Sequence, residues 1–389
     1  MRRVFLVSSD GCDPFKTDLG LIRQYFRGNS YIVSKKIEKA DTIVMHTCAF
    51  SKDQENKSVE LLRNTLQKQK EDAKVIVTGC LPSINKARCD RIFNGTKISA
   101  NALQELDKII NPQIKLRHIK YIDSPQSLSQ LKGVFYFLRI GRGCLGKCGY
   151  CAVKLVFGRL KSRSALDILQ EFNNAYARGY RNFALVAQDV GIYGRDYNSS
   201  LADCLRILCN KHPDSVFQLL NITPNMLKNL LPGLREFIRL GKISYIVIPI
   251  QSGSNRILQL MRRQYTVDEV KYLIKKTKEY NPNLSIKTDI MVGFPSEKTN
   301  DFLDTLKLVE WLSRYKVMVQ GFVYSKRPNT EAGKMPNQID EKTKNARLKK
   351  LYKMVKMSGI LGDKKLFNRL KRKRLKFEKV TLESLNANK

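Results

Sequence analysis

Histidine is scarce in this chain. Among 389 residues there are three, His46, His118 and His212, and none stands at a short metal-binding spacing from another. A mixed Cys/His zinc site is therefore poorly supported. Long apolar runs are also lacking: no stretch reaches the roughly 18–20 apolar residues that a membrane-spanning helix requires. The apolar start, Val4-Phe-Leu-Val, is cut short by Asp10, Asp13 and Lys16 and reads as a first strand rather than a signal peptide. Acidic residues are few, with Asp+Glu 35 against Lys+Arg 71 and a formal charge of +36. Such an excess repels itself in a compact chain and suits a polyanion, nucleic acid first. A simple bias toward solvated lysine is the plainer alternative. Nine cysteines, an odd number without a secretory signal, argue against a disulfide framework. Metal ligation or redox chemistry in a reducing, cytoplasmic compartment fits them better.

The chain is long enough, at 42% hydrophobic content, for two or three packed units. Over the first 130 residues, strand-like runs (4–8, 42–47, 74–78) alternate with helix-like ones (18–26, 59–66), predicting an open parallel α/β domain. Function collects beyond the carboxyl ends of such strands. Cys12, Cys48 and Cys80 fall there, far apart in sequence and expected at one sheet edge. Residues 112–133 form a polar connector with Pro112 and Pro125. A second series follows, with strands expected at 135–140, 182–187, 244–250, 285–292 and 317–324 and helices at 165–178 and 267–279. Repeated βα units predict a full or partial barrel. From about Lys342 the chain turns helical and strongly basic, ending in the Lys/Arg-rich segment 364–379. Both a phosphate-tracking helix and a frayed, solvated tail suit that composition.

The chemistry is concentrated in Cys144-Leu-Gly-Lys-Cys148-Gly-Tyr-Cys151, which follows a strand and the Gly141-Arg-Gly143 turn. Iron–sulfur clusters are usually held by four thiolates. Three in one loop leave one iron open, and an open position is what a metal centre needs to activate a ligand. Glycines 143, 146 and 149 let the backbone wrap tightly, while Arg142 and Lys147 offset negative charge. A zinc knuckle lacking its fourth ligand is the structural alternative.

This loop is the signature of the radical-SAM superfamily, and the chain resembles the methylthiotransferases that thiomethylate tRNA adenosines or a ribosomal protein. That family carries three further cysteines in contexts close to Asp10-Gly-Cys12, His46-Thr-Cys48-Ala-Phe50 and Thr78-Gly-Cys80-Leu-Pro82. Further matches are Ala187-Gln-Asp-Val-Gly-Ile-Tyr-Gly-Arg-Asp196, Pro249-Ile-Gln-Ser-Gly-Ser254, Asp289-Ile-Met-Val-Gly-Phe-Pro295 and Tyr324-Ser-Lys-Arg-Pro-Asn-Thr330. The resemblance implies an N-terminal α/β domain over 1–130, a partial (β/α)6 barrel over 134–340 and a basic helical tail over 341–389. The small β-barrel RNA-binding domain usual at the end of relatives is expected to be missing.

It further implies two 4Fe-4S clusters, held by Cys12/Cys48/Cys80 and by Cys144/Cys148/Cys151, with S-adenosyl-L-methionine bound at the second. Reductive cleavage there yields a 5′-deoxyadenosyl radical that takes a hydrogen from an unactivated carbon. Sulfur from the first cluster is then added, and a second S-adenosylmethionine supplies methyl. Gln188, Gln251 and Ser252 are expected to bind polar ends of S-adenosylmethionine, with Gly253 and Gly293 allowing close approach. Cys89, Cys204 and Cys209 match no family motif and suit buried apolar roles.

The implied partners are tRNA and a reduced ferredoxin- or flavodoxin-type electron donor, with neither DNA nor a membrane. Lys154, Gly158-Arg-Leu-Lys-Ser162 and the 188–196 motif resemble the archaeal and eukaryotic branch that acts on N6-threonylcarbamoyladenosine. Phe157 stands where that branch usually has arginine. Another tRNA adenosine or a protein substrate remains open, as does a non-catalytic Fe–S or zinc nucleic-acid-binding protein.

Overall fold

The computed structural model describes residues 2–9, 13–119, 125–126 and 135–359. Cys12, most of the connector and the basic segment 364–379 lie outside these residues. Five strands make the first sheet: β1 (Arg3–Ser8), β2 (Ile32–Val33), β3 (Thr42–Thr47), β4 (Lys74–Gly79) and β5 (Thr96–Ser99). Their order is β2-β1-β3-β4-β5, and every pair is parallel. Successive side chains point to opposite faces, so one sheet feeds two cores. Ile43, Met45, Val75 and Val77 pack with Val59 and Leu62 of the helix Lys52–Lys68. Val4, Val44, Ile76 and Ile98 pack with Ile22, Tyr25 and Phe26 of the helix Asp13–Gly28. Coverage on both faces explains why β3 is an unbroken buried run rather than an alternating one.

The second sheet is built from β6 (Pro125–Gln126), β7 (Phe135–Arg139), β10 (Asn182–Val186), β11 (Val216–Leu220), β12 (Ile243–Val247), β13 (Ser285–Val292) and β14 (Met318–Val323). A separate hairpin pairs β8 (Gly141–Arg142) with β9 (Lys161–Ser162). The large sheet runs β14-β13-β12-β11-β10-β7-β6, with parallel pairing from β7 to β14 and β6 antiparallel at the edge. This is the expected mixed α/β architecture, with six parallel strands as in a partial barrel. β6 comes from within the polar connector, and Pro125 sits on an edge strand, where a missing N–H is tolerated.

Helices Ala165–Ala177, Leu201–Lys211, Pro224–Arg239, Val267–Tyr280 and Thr299–Ser313 follow the parallel strands and share one core with them. The helix Glu341–Met357, which the sequence places in the tail, packs Leu351 and Val355 into that same core. Among the described residues, no helix is long and apolar enough to cross a membrane.

Candidate functional site at the junction of the two sheets

β3 and β4 are in register at Thr47 and Gly79, so Cys48 and Cys80 each stand one residue beyond a paired position on neighbouring strands. Such strands lie about 4.8 Å apart. The backbone there is tightly specified. The Cys48 amide donates to Ser58 Oγ at 3.0 Å and Ser9 Oγ at 3.2 Å, and the Cys80 amide donates to Thr47 O at 2.7 Å. Gly79 has φ +105°, and a Cβ there would stand 2.7 Å from Thr47 N, so only glycine allows the strand to turn into Cys80. Both cysteines are buried.

The loop of Cys144, Cys148 and Cys151 is framed by β8 and β9. Gly143, at φ +77°, presses on the Arg159 carbonyl, and the Cys144 amide donates to Gly158 O at 3.2 Å. Farther along, Gly149 donates to Met261 O (3.2 Å) and accepts from the Ala332 amide (2.9 Å). The thiols are half-buried. Burial, followed by the charges of Asp189, Cys151 and Cys148, pushes the Cys144 thiol up to about 11, against the pull of its hydrogen bond from Gly146 N. Burial raises Cys151 as well, reinforced by Cys148 and opposed by the Lys154 and Val153 amides and by Arg263.

Three neighbouring thiols in one loop, with Cys144 and Cys151 raised by burial, are a donor set suited to metal, because a bound cation replaces thiol protons and cancels thiolate repulsion. Among the described residues, no three His, Cys, Asp or Glu side chains stand at coordinating spacing.

Two groups beside this loop escape a reading of motifs. Arg263 is half-buried, donates to Tyr150 Oη, and lies 5.5 Å from the Tyr150 ring and 5.9 Å from the Tyr265 ring. Burial works against its charge, but Tyr150, Tyr265 and Cys148 together hold it firmly cationic. Its Nε is buried without a partner. Asp189 is buried at the end of β10 and accepts from Thr223 Oγ1 (2.7 Å) and Gly191 N (2.9 Å). Burial raises its carboxyl despite those bonds and Arg263.

The other expected contacts divide. Gln188 and Gln251 follow β10 and β12, and each has a buried side-chain Oε1 with no hydrogen-bond partner. Gln251 is also left-handed, at φ +75°, an uncommon conformation for a non-glycine residue that clusters at ligand sites. By contrast, Ser252 accepts from Ser254 N at 3.2 Å, and a Cβ on Gly253 would come within 2.5 Å of Thr305 Cα. Those two positions are explained by packing against the helix Thr299–Ser313. Gly293, at φ +74°, abuts Lys344 and donates its amide to Glu297 at 2.8 Å.

Buried charges lock the two units together at this point. Asp18, on the N-terminal helix, pairs with Arg139 Nη1 at 2.5 Å and with Arg142, two residues before Cys144. Burial opposes ionisation of Asp18, yet Arg139 and Arg142 hold its carboxyl below the usual range. Glu55 pairs with Arg88 at 2.5 Å and with Arg327, while the Lys52 amide donates to Ser325 Oγ at 2.8 Å. The short helix Val153–Phe157 after the cysteine loop buries Val156 and Phe157 in the N-terminal core, beside Cys80, Leu81 and Ile84.

A cavity of about 380 Å³ opens beyond β11 and is lined by Arg195, Met226, Gln264 and Tyr265 among others. A larger one, about 640 Å³, lies on the outer side, against the helices Val267–Tyr280 and Thr299–Ser313, and includes none of the cysteines. The smaller one also contains no cysteine, but its wall includes Tyr265, whose ring lies 5.9 Å from Arg263.

Residues 138–309 match the radical SAM superfamily model, and residues 4–99 match the model described as Uncharacterized protein family UPF0004. A probable threonylcarbamoyladenosine tRNA methylthiotransferase of Pyrococcus horikoshii is 31% identical over 339 residues, covering 84% of this chain and 78% of the relative. A tRNA-2-methylthio-N(6)-dimethylallyladenosine synthase of Clostridium beijerinckii is 30% identical, over 93% of this chain and 83% of its own. The ribosomal protein uS12 methylthiotransferase RimO of Chlamydia felis is 27% identical, over 92% and 79%. Among solved structures, the radical S-adenosylmethionine methyltransferase TsrM of Kitasatospora setae shares the fold, with a TM-score of 0.61 at 9% identity over 85% of this chain and 77% of that one. With both domain matches in the order that the cysteine sets require, the chain belongs to the radical-SAM methylthiotransferase family and is a transferase whose family chemistry uses a 4Fe-4S cluster and S-adenosylmethionine.

Proposed function

We propose that this enzyme inserts sulfur and a methyl group at C2 of N6-threonylcarbamoyladenosine beside the anticodon of tRNA. The observation that carries the sulfur-inserting reading is the junction itself. Cys48 and Cys80 end adjacent strands of one unit, and the Asp18–Arg142 bridge ties that unit to the turn that opens the Cys144 loop. A radical enzyme that only abstracts hydrogen needs no second thiol set on its flank. Cys144, Cys148 and Cys151 would hold a cluster whose chemistry is one-electron cleavage of S-adenosylmethionine, and Cys12, Cys48 and Cys80 would hold a second as a source of sulfur.

The protein's part is to bind and orient. The unpartnered Oε1 atoms of Gln188 and Gln251 would accept from the methionine ammonium, and the cationic Arg263 would meet its carboxylate. β13 keeps Gln251 in place: the Gln251 amide donates to Asp289 O at 2.8 Å, and its carbonyl accepts from the Met291 amide at 2.8 Å. Asp189 holds the 188–196 loop onto Thr223.

The curated relatives divide over substrate, so the adenosine rests on local motifs. Ser162 N donates to Asp196 Oδ2 at 2.8 Å, and Gly194 N donates to Ser162 Oγ at 3.0 Å. The two segments that resemble the threonylcarbamoyladenosine branch thus dock on each other. A formal charge of +36 favours RNA over a basic ribosomal protein.

Anaerobic reconstitution is expected to load roughly eight irons per chain, as two cubane clusters require, and to release 5′-deoxyadenosine under reductant. Cys148→Ala should abolish that release while keeping the N-terminal cluster. Mass spectrometry of tRNA nucleosides from a deletion strain should show loss of 2-methylthio-N6-threonylcarbamoyladenosine. An unchanged nucleoside profile rejects the substrate, and zinc loading without turnover rejects the chemistry.

A further inference from the structure

The helix Glu341–Met357 has two faces of opposite character. One face carries Leu348, Leu351 and Val355 against β14, where Gly321 leaves room for Leu348 and Leu351. On the other, Lys342, Lys349 and Lys353 recur at helical spacing and are all exposed. At about 1.5 Å rise per residue they form a line with steps of roughly 10 and 6 Å. Among the described residues, none of these three lysines has an acidic partner. The helix's single acidic residue, Glu341, is taken by Lys344 at 2.9 Å. Three unneutralised ammonium groups on a rigidly docked helix are repulsive unless a polyanion covers them.

We propose that this lysine line is an RNA-docking surface that tracks the phosphate backbone of the substrate RNA, an assignment that rests on the tRNA reading above. Basic helices also bind anionic membranes, but they do so by inserting a free apolar face. Here Leu351 and Val355 are buried in the barrel core, and Met357 at the helix end is the one large apolar side chain that the helix exposes, too little for insertion, so charge dominates what it offers a partner. The helix begins beyond β14, the edge strand of the large sheet, and its Lys344 touches Gly293 at the end of β13. A strand held along it therefore runs past the strand ends where the candidate site lies. In sequence the basic character continues with Lys364, Lys365 and Arg369.

Neutralised phosphates release counterions, so log Kobs falls with log salt by about 0.7 to 0.9 per contact. The triple substitution K342A/K349A/K353A in the full chain should lower that slope by about 2 to 3 with an unmodified tRNA transcript, and weaken binding at 0.15 M salt on the order of 50-fold. A charge-matched control on exposed lysines of the first unit, K35A/K36A/K39A, should lower the slope by less than about 1. S-adenosylmethionine cleavage without RNA should be unchanged in both. Equal losses in the two triples, no loss in the first, or wild-type binding to phosphatidylserine vesicles but not to tRNA overturns the proposal. Lysine-dependent tRNA binding without any methylthiolated product sustains the docking surface and rejects the substrate assignment instead.

Discussion

Glu55 is the most direct handle on how the two units are held together. It lies on the helix that follows Cys48 and is 3% exposed. Its carboxylate accepts from Arg88 Nη1 at 2.5 Å, from Asn85 Nδ2 at 3.0 Å and from Arg327, which arrives from the segment after β14. Glu55→Ala strands Arg327, whose side chain is 3% exposed and whose Nε already lacks a partner. Removing one member of a buried pair typically costs about 3–5 kcal/mol. Arg88 is 29% exposed and can return to water, so the lower end applies, about 3 kcal/mol. At a urea dependence of about 1–3 kcal/mol per molar, the midpoint should fall by roughly 1–3 M. Trp311, the only tryptophan, sits on the barrel helix Thr299–Ser313, so its fluorescence reports the barrel while circular dichroism reports both units. In Glu55→Ala the dichroism transition should run ahead of the fluorescence transition as the N-terminal unit comes loose first. Glu55→Gln, which keeps hydrogen bonding, should lose less. Coincident transitions with a shift below about 0.3 M would refute the clamp.

Three further outcomes are expected. Burial opposes ionisation of Glu55, but Arg88 and Arg327 hold its carboxyl below its ordinary value; its stabilisation is complete above the unfolded pKa, about 4.3, and is lost as pH falls through the lower folded one. The stability gap between wild type and Glu55→Gln should therefore close in acid, and a gap of equal size at pH 7 and about pH 3 would contradict the pairing. Gly143→Ala forces a Cβ to within 2.5 Å of the Arg159 carbonyl carbon, whereas a Cβ at Gly28, which has no left-handed φ, meets nothing nearer than 3.7 Å; iron content after reconstitution should drop in the first variant and hold in Gly28→Ala. Arg263→Met should weaken S-adenosylmethionine binding by about 10- to 150-fold, the worth of a hydrogen bond to a charged group, with partial recovery in Arg263→Lys; unchanged calorimetric affinity would remove Arg263 from the site.

Sequence alone placed Cys48 and Cys80 just past strands because strand ends follow from short β-branched runs such as Thr42–Thr47 and Lys74–Gly79, while the Cys144 loop was legible from its spacing and Cys12 lies outside the described residues. It missed β11, where Gln218 interrupts the apolar run, and β5, where one of four residues is fully buried. Gln218 is tolerated because its Nε2 donates to Ser244 Oγ at 3.0 Å on the neighbouring strand, a partner that no local pattern reveals. Arg263 was hidden for the same kind of reason. In Met261-Arg-Arg-Gln264 it looks like its neighbour Arg262, yet Arg262 pairs on the surface with Glu331 while Arg263 turns inward to Tyr150. Gly253 shows the reverse difficulty: a glycine in a ligand-like motif is required by the close approach of Thr305.

Phe157 brings these threads to one place. Read against the branch it most resembles, it is a departure, an aromatic residue where arginine is usual. In the structure it is 6% exposed and packs in the N-terminal core with Ala49 and Cys80, although it belongs to the helix that follows Cys151. An arginine in that environment needs a carboxylate to offset its burial. The buried acids of the N-terminal unit, Glu55 and Asp18, are already engaged by Arg88, Arg327, Arg139 and Arg142. A hydrophobic residue at 157 is thus the consistent choice once those bridges exist. It makes the packing of the cysteine loop and the packing of the N-terminal sheet a single event, so the separation of the two thiol sets is fixed by core burial as well as by charge.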